Sequence, residues 1–217
     1  MEVWYKRCTP RHLEKEVVTP LDPPRNAADG PEGQTDVSVW LEHVSEDVSR
    51  LRLSGTLPSR WAGALALGLS REQVTILRGC ACRVSPRGWT AFFDLHGLEG
   101  KAALQAIDFR TLATRWSAHA TPAPIELESY TLTPMPGGWL QLGVRGRDCV
   151  GFLGNLLDRL EGLSLFPEEM QIQTHGRVAE DRFQIRGAAG RPVSDDARED
   201  LRALLDLWVR DPRPPRR

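Results

Sequence analysis

Between the linker that ends at Asp36 and the tail that begins at Arg210 the chain repeats itself, and an internal repeat constrains a fold more tightly than composition can. At an offset of 91 residues, Leu51, Leu53, Gly55, Trp61, Gly63, Leu65 and Leu69 fall on Leu142, Val144, Gly146, Phe152, Gly154, Leu156 and Leu160. At an offset of 90, Phe93, Leu95 and Gly97 fall on Phe183, Ile185 and Gly187. The same kinds of segment recur in the same order, which reads as a tandem duplication. A unit of this size buries little core alone, so the two copies are expected to pack into one body.

Each copy carries the same local signals. Leu51 and Leu53, like Leu140, Leu142 and Val144, alternate with polar residues or glycine, the period of a strand covered on one face. A helix follows: Phe152, Leu153, Leu156, Leu157 and Leu160 recur at helical spacing, as do Trp61, Leu65 and Leu69. Two more strands come next. Val74, Ile76, Cys80 and Cys82 share one parity, as do Met170, Ile172 and Thr174, and hairpin turns are expected near Arg87 and Gly88 and near Gly176 and Arg177. A second helix closes the later copy, with Ser194 as its cap, Asp195 and Asp196 in its first turn, and Ala197, Leu201, Leu204, Leu205 and Trp208 on one face. Its counterpart, about residues 100 to 116, is less regular. One further strand precedes each copy, around Val37 to His43 and Ile125 to Tyr130.

That order predicts an α+β fold of two tandem ferredoxin-like modules, each an antiparallel four-stranded sheet with both helices on one face. The expected divisions are an N-terminal segment and Pro/Gly linker over residues 1–36, modules over 37–118 and 124–210, and a Pro/Arg tail over 211–217. The edge strand of a module is open to Val37–His43, to Glu2–Arg7, or to crosswise pairing between modules.

The turn that enters the helix of the second copy runs Arg147, Asp148, Cys149, Val150, Gly151, Phe152, Leu153. An Asp, a Gly three residues later and then two apolar residues resemble the start of an ACT domain, a small amino-acid-sensing regulatory module. The tandem arrangement is similar to the paired ACT modules of bacterial uridylyltransferases. The resemblance implies a bacterial regulatory protein with a small amino-acid ligand at Asp148, Cys149, Val150, Gly151, Phe152 and Leu153, with Met170, Gln171 and Ile172 of the adjoining strand beside it. The first copy has Leu57, Pro58, Ser59, Arg60 and Trp61 at this point, without the Asp and the Gly, so its site is degenerate.

The same turn has a physical rationale. A helix N-terminus presents unpaired N–H groups and partial positive charge to a carboxylate, and a glycine lets that carboxylate approach the backbone. The alternative is that Asp148 caps its own helix and fills those donors, with Gly151 serving only packing.

Composition narrows the function classes. With 28 basic against 29 acidic residues and a formal charge of −1, the chain lacks the clustered cations of a nucleic-acid clamp. Its longest apolar stretches, Trp61–Leu69 and Val150–Leu163, fall short of the ~20 residues of a membrane helix. Four cysteines without a leader at the start suggest neither secretion nor a disulfide framework, and a cytoplasmic setting. Cys80 and Cys82 are expected on the core side with Val74 and Ile76, and Cys8 with His12 lacks a third metal ligand. No histidine has a nucleophile or carboxylate at catalytic spacing, Glu168 and Glu169 point to opposite faces, and no phosphate loop appears. We therefore expect no catalysis and no cofactor or metal.

Among seven tryptophans, Trp61, Trp89 and Trp208 have core parity or spacing, while Trp4, Trp40 and Trp139 are candidates for exposure on strand edges. His96 and His175 fall on the outer parity of their strands. Two functions are thus expected: a non-catalytic sensor using the turn, or a ligand-free interaction module. The second would bind a protein partner or a second copy through Trp40, Trp139, His96, His175 and the outer sheet face.

Overall fold

Alternating apolar residues place one face of every strand against a common core, and the structure, a computed structural model, describes this for residues 37–97, 104–115 and 125–209. The linker and tail, together with Trp4, Cys8, His12, Trp116 and His119, lie outside the described residues. Strands β1 (Val37–Ser45) and β2 (Val48–Thr56) lead into helix α1 (Trp61–Arg71), then β3 (Val74–Arg83), β4 (Gly88–Gly97) and the short α2 (Phe109–Thr114). Strands β5 (Leu127–Met135) and β6 (Trp139–Arg147) lead into α3 (Phe152–Gly162), then β7 (Leu165–His175), β8 (Val178–Gly187) and α4 (Asp195–Trp208).

All eight strands join one sheet in the order β1-β2-β4-β3-β7-β8-β6-β5, every neighbour antiparallel. This overturns the expected fold class. There are not two ferredoxin-like modules, each closing its own four-stranded sheet under a pair of helices. The chain is mostly β: a single eight-stranded antiparallel sheet with, among the described residues, only three helices longer than the six-residue α2. The cause lies at β3 and β7, whose edges pair from Arg78 opposite Gln173 to Cys82 opposite Glu169. An edge strand carries a row of unsatisfied N–H and C=O groups, and pairing two edges satisfies both rows. The edge strand before each copy is also settled, because β1 pairs with β2 and β5 with β6.

A bulge corrects the reading of the cysteines. Pairing of β3 with β4 shifts between Ile76 and Arg78, so Leu77 is an extra residue and the parity reverses beyond it. Gly79 and Ala81 then join the core side opposite Phe93 and Ala91, while Cys80 and Cys82 turn to the other face opposite Phe92 and Thr90. Cys82 is free, whereas Cys80 is disulfide-bonded, although the sequence suggested no disulfide framework.

The core lies between one face of the sheet and the helices. Trp61 is 1% exposed and meets Trp89 edge-on at 5.4 Å between ring centroids. Leu156, Leu160, Leu201 and Leu205 are fully buried, each contributing roughly 1.5–3 kcal/mol of transfer free energy. Helices α1 and α3 touch through Gly154, where a Cβ would stand 2.7 Å from the Leu67 side chain. At α4, Ser194 Oγ accepts a hydrogen bond from the Ala197 N–H at 3.2 Å, with Asp195 and Asp196 in the first turn. No described helix is long and apolar enough to cross a membrane.

Candidate functional site

The turn between β6 and α3 is held from below by backbone. The Asp148 N–H donates to the Arg177 carbonyl at 2.8 Å, tying the turn to the β7–β8 hairpin, and the Phe152 N–H donates to the Cys149 carbonyl at 2.9 Å. Gly151 stands at the N-cap position with φ +89°, a left-handed conformation that L side chains rarely adopt. The first helical bond runs from the Asn155 N–H to the Gly151 carbonyl at 2.9 Å, and the Asn155 side-chain amide donates to the same oxygen at 2.8 Å.

No side chain caps α3. Asp148 therefore does not fill the donors of its own helix, and its carboxylate has no hydrogen bond or ion pair among the described residues. The N–H groups of Leu153 and Gly154 are likewise without a partner among the described residues, and a helix start of this kind favours an anion.

The turn opens on a cavity of about 40 Å³. Asp148, Cys149, Val150, Gly151, Phe152, Leu153 and Ile172 all line it. Two of the expected residues do not: Met170 is in the core, 2% exposed, and Gln171 faces the opposite side of the sheet beside Cys80. The remaining walls come from α1 and the strands below it, including Ser70, Thr75, Thr174 and Asp181.

Asp181 is the group that the sequence reading missed. It is 2% exposed, and among the described residues its carboxylate accepts one hydrogen bond, from the Gln173 N–H at 3.3 Å. Burial pushes its carboxyl up to about 7; the Gln173 N–H opposes the shift and the neighbouring Asp148 charge adds to it. Burial also raises Asp148, and it raises the Cys149 thiol with help from Asp148. The signal was present in the sequence, since Asp181 shares the inward parity of Ala179, Phe183 and Ile185.

The equivalent turn of the first copy carries an arginine where the second has Gly151. Arg60 occupies the N-cap position of α1, which no side chain caps. Its guanidinium forms ion pairs with Glu161 and with Asp158 of α3, the latter at 3.6 Å. Burial raises the Glu161 carboxyl, partly offset by the hydrogen bond and charge of Arg60.

The four expected interface residues are dispersed. Trp40 on edge strand β1 is 55% exposed. Trp139 sits on β6, six strand spacings and roughly 29 Å away, beneath the Arg186 guanidinium at 3.8 Å. His96 Nδ1 donates to the Asp47 carbonyl at 3.0 Å, while His175 is exposed at the rim of a hollow of about 260 Å³ on the opposite face of the sheet. That face also holds Asp94, 2% exposed and bonded to Arg50 at 2.7 Å and Arg78 at 2.5 Å. Burial works to raise the Asp94 carboxyl, but the two arginines outweigh it and hold it below the usual carboxylate range. Among the described residues no three His, Cys, Asp or Glu side chains come together as metal ligands.

No protein-family model matches the chain, and no curated protein matches it. Among solved structures, aspartate kinase from Synechocystis superposes with a TM-score of 0.44 and 13% identity over 75% of this chain and 27% of the kinase chain. The chain thus spans about a quarter of that protein's length, and a likeness this slight carries no argument about function.

Proposed function

We propose that the protein is a non-catalytic regulator that binds a small amino-acid-like ligand by its carboxylate at the turn from Asp148 to Leu153. The observation that carries this reading is the start of α3, which is uncapped, entered through Gly151 at positive φ and open to a cavity. The likeness of Asp148, Gly151, Phe152 and Leu153 to the ACT turn points the same way.

A thermal-shift screen of the full chain with the twenty amino acids tests the reading. A ligand at 100 times its dissociation constant adds ~2.7 kcal/mol of stability, which is readily visible as a rise in Tm. If no amino acid shifts the melting curve, the ligand reading falls. The interaction-module reading, favoured only by the exposure of Trp40, would then take its place.

A further inference from the structure

We infer that Cys80 is bonded to Cys8, and that this disulfide docks the N-terminal segment of the chain across the outer face of the sheet, over the hollow beside Cys80. Reduction then uncovers that face. The docking site lies on the opposite side of the sheet from the α3 turn and requires no ligand there.

The pairing follows from the inventory of cysteines. The chain has four, at positions 8, 80, 82 and 149. Cys80 is disulfide-bonded while Cys82 and Cys149 are free thiols, which leaves Cys8 as the partner. The bond forms when the two thiols each give up a proton and an electron to a low-molecular-weight disulfide, which departs as two thiols. Cys82, two residues along on the same face, is a poor competitor for Cys8. Burial, helped by the Glu169 charge, raises its thiol and keeps it in the unreactive protonated form.

The exposure of Cys80 places the segment. The bulge at Leu77 turns this residue to the face of the sheet that no described helix covers. A small side chain on a bare sheet face is open to solvent, yet Cys80 is only 3% exposed. A bonded partner, with the segment attached to it, accounts for that cover. Phe92 and Gln171, the neighbours of Cys80 across β4 and β7, line the hollow of about 260 Å³ together with it.

The chain outside the fold is long enough for this contact. Cys80 is in register with Trp40 on β1 through Phe92 and Arg52, three strand spacings or about 14 Å away. Residues 9–36, which join Cys8 to β1, extend to as much as about 90 Å. Trp4 and Tyr5 lie within four residues of Cys8, and aromatic side chains suit a hollow that has Phe92 in its lining.

Non-reducing peptide mapping of the full chain, oxidised with glutathione disulfide, tests the pairing. Trypsin leaves Cys80 and Cys82 in one peptide, so the map is repeated on Cys82→Ser. The peptide holding Cys8 should be joined to the one holding Cys80 in both proteins, and the link should vanish in Cys80→Ser. Alkylation of Cys82 tests the docking, because that thiol shares the covered face and is 8% exposed. Its rate should rise about tenfold or more from the oxidised wild type to the double variant Cys8→Ser, Cys80→Ser, which lacks the tether. Cys8 recovered as a free thiol after oxidation, or joined to Cys82 or Cys149, would overturn the pairing. An unchanged Cys82 rate would overturn the docking.

Discussion

Replacing Asp181 by Asn should stabilise the protein at neutral pH and remove much of the slope of its stability against pH. The folded carboxyl titrates at about 7 against 3.8 for the free side chain. An acid raised in this way binds more protons folded than unfolded between those values, so stability is greatest below the lower one and declines as pH rises through the window. At about 1.4 kcal/mol per tenfold change in proton affinity, the ionised carboxylate costs the unliganded fold roughly 4 kcal/mol once the pH exceeds 7. Asn keeps the acceptor for the Gln173 N–H and carries no charge at any pH. Urea unfolding of both proteins from about pH 4.5 to pH 7.5 reads the difference, because other carboxylates contribute almost equally to each. The stability gap in favour of the variant should widen steadily across that range. Parallel curves would refute the reasoning, since they would mean that Asp181 titrates like a solvated acid.

Other substitutions probe the rest of the account. Gly151→Ala should cost roughly 1–2 kcal/mol from the left-handed backbone alone, measured by denaturant unfolding, and should abolish the thermal response to amino acids. At Gly154, where a Cβ would meet the Leu67 side chain at 2.7 Å and its backbone nitrogen at 2.9 Å, alanine should destabilise by about 1–3 kcal/mol through overpacking between α1 and α3. Loss of the helix cap in Ser194→Ala should cost about 1 kcal/mol and leave the ligand response unchanged, which a parallel thermal-shift series checks.

The elements were legible in the sequence because each is a local pattern. The alternation in β2 and β6, the helical spacing in α1 and α3, and the cap at Ser194 all depend on residues close together in the chain. The sheet was not legible for the opposite reason. Pairing of β3 with β7 joins backbone groups from residues 78–82 to residues 169–173, and backbone pairing leaves no mark in side-chain periodicity. The bulge at Leu77 was equally hidden, since one unpaired residue reversed the parity that placed Cys80 and Cys82 on the core side. At the candidate site the residues of the turn came from their likeness to the ACT turn, and Ile172 from its place on the adjoining strand, which also supplied Met170 and Gln171 that do not line the cavity. Asp181 was passed over although an acidic residue among inward-facing Ala179, Phe183 and Ile185 is the kind of exception that marks a site.

The central claim is that the first turn of α3 holds a small amino-acid-like ligand by its carboxylate at its free N–H groups. Following the backbone amides of isotope-labelled protein by NMR during a titration with glycine tests it directly. The account predicts saturating shifts at Gly151, Leu153, Gly154 and Asp181, with the amides of β1 unmoved. Shifts that fail to saturate, or that centre on Trp40 and the outer face of the sheet, would contradict it.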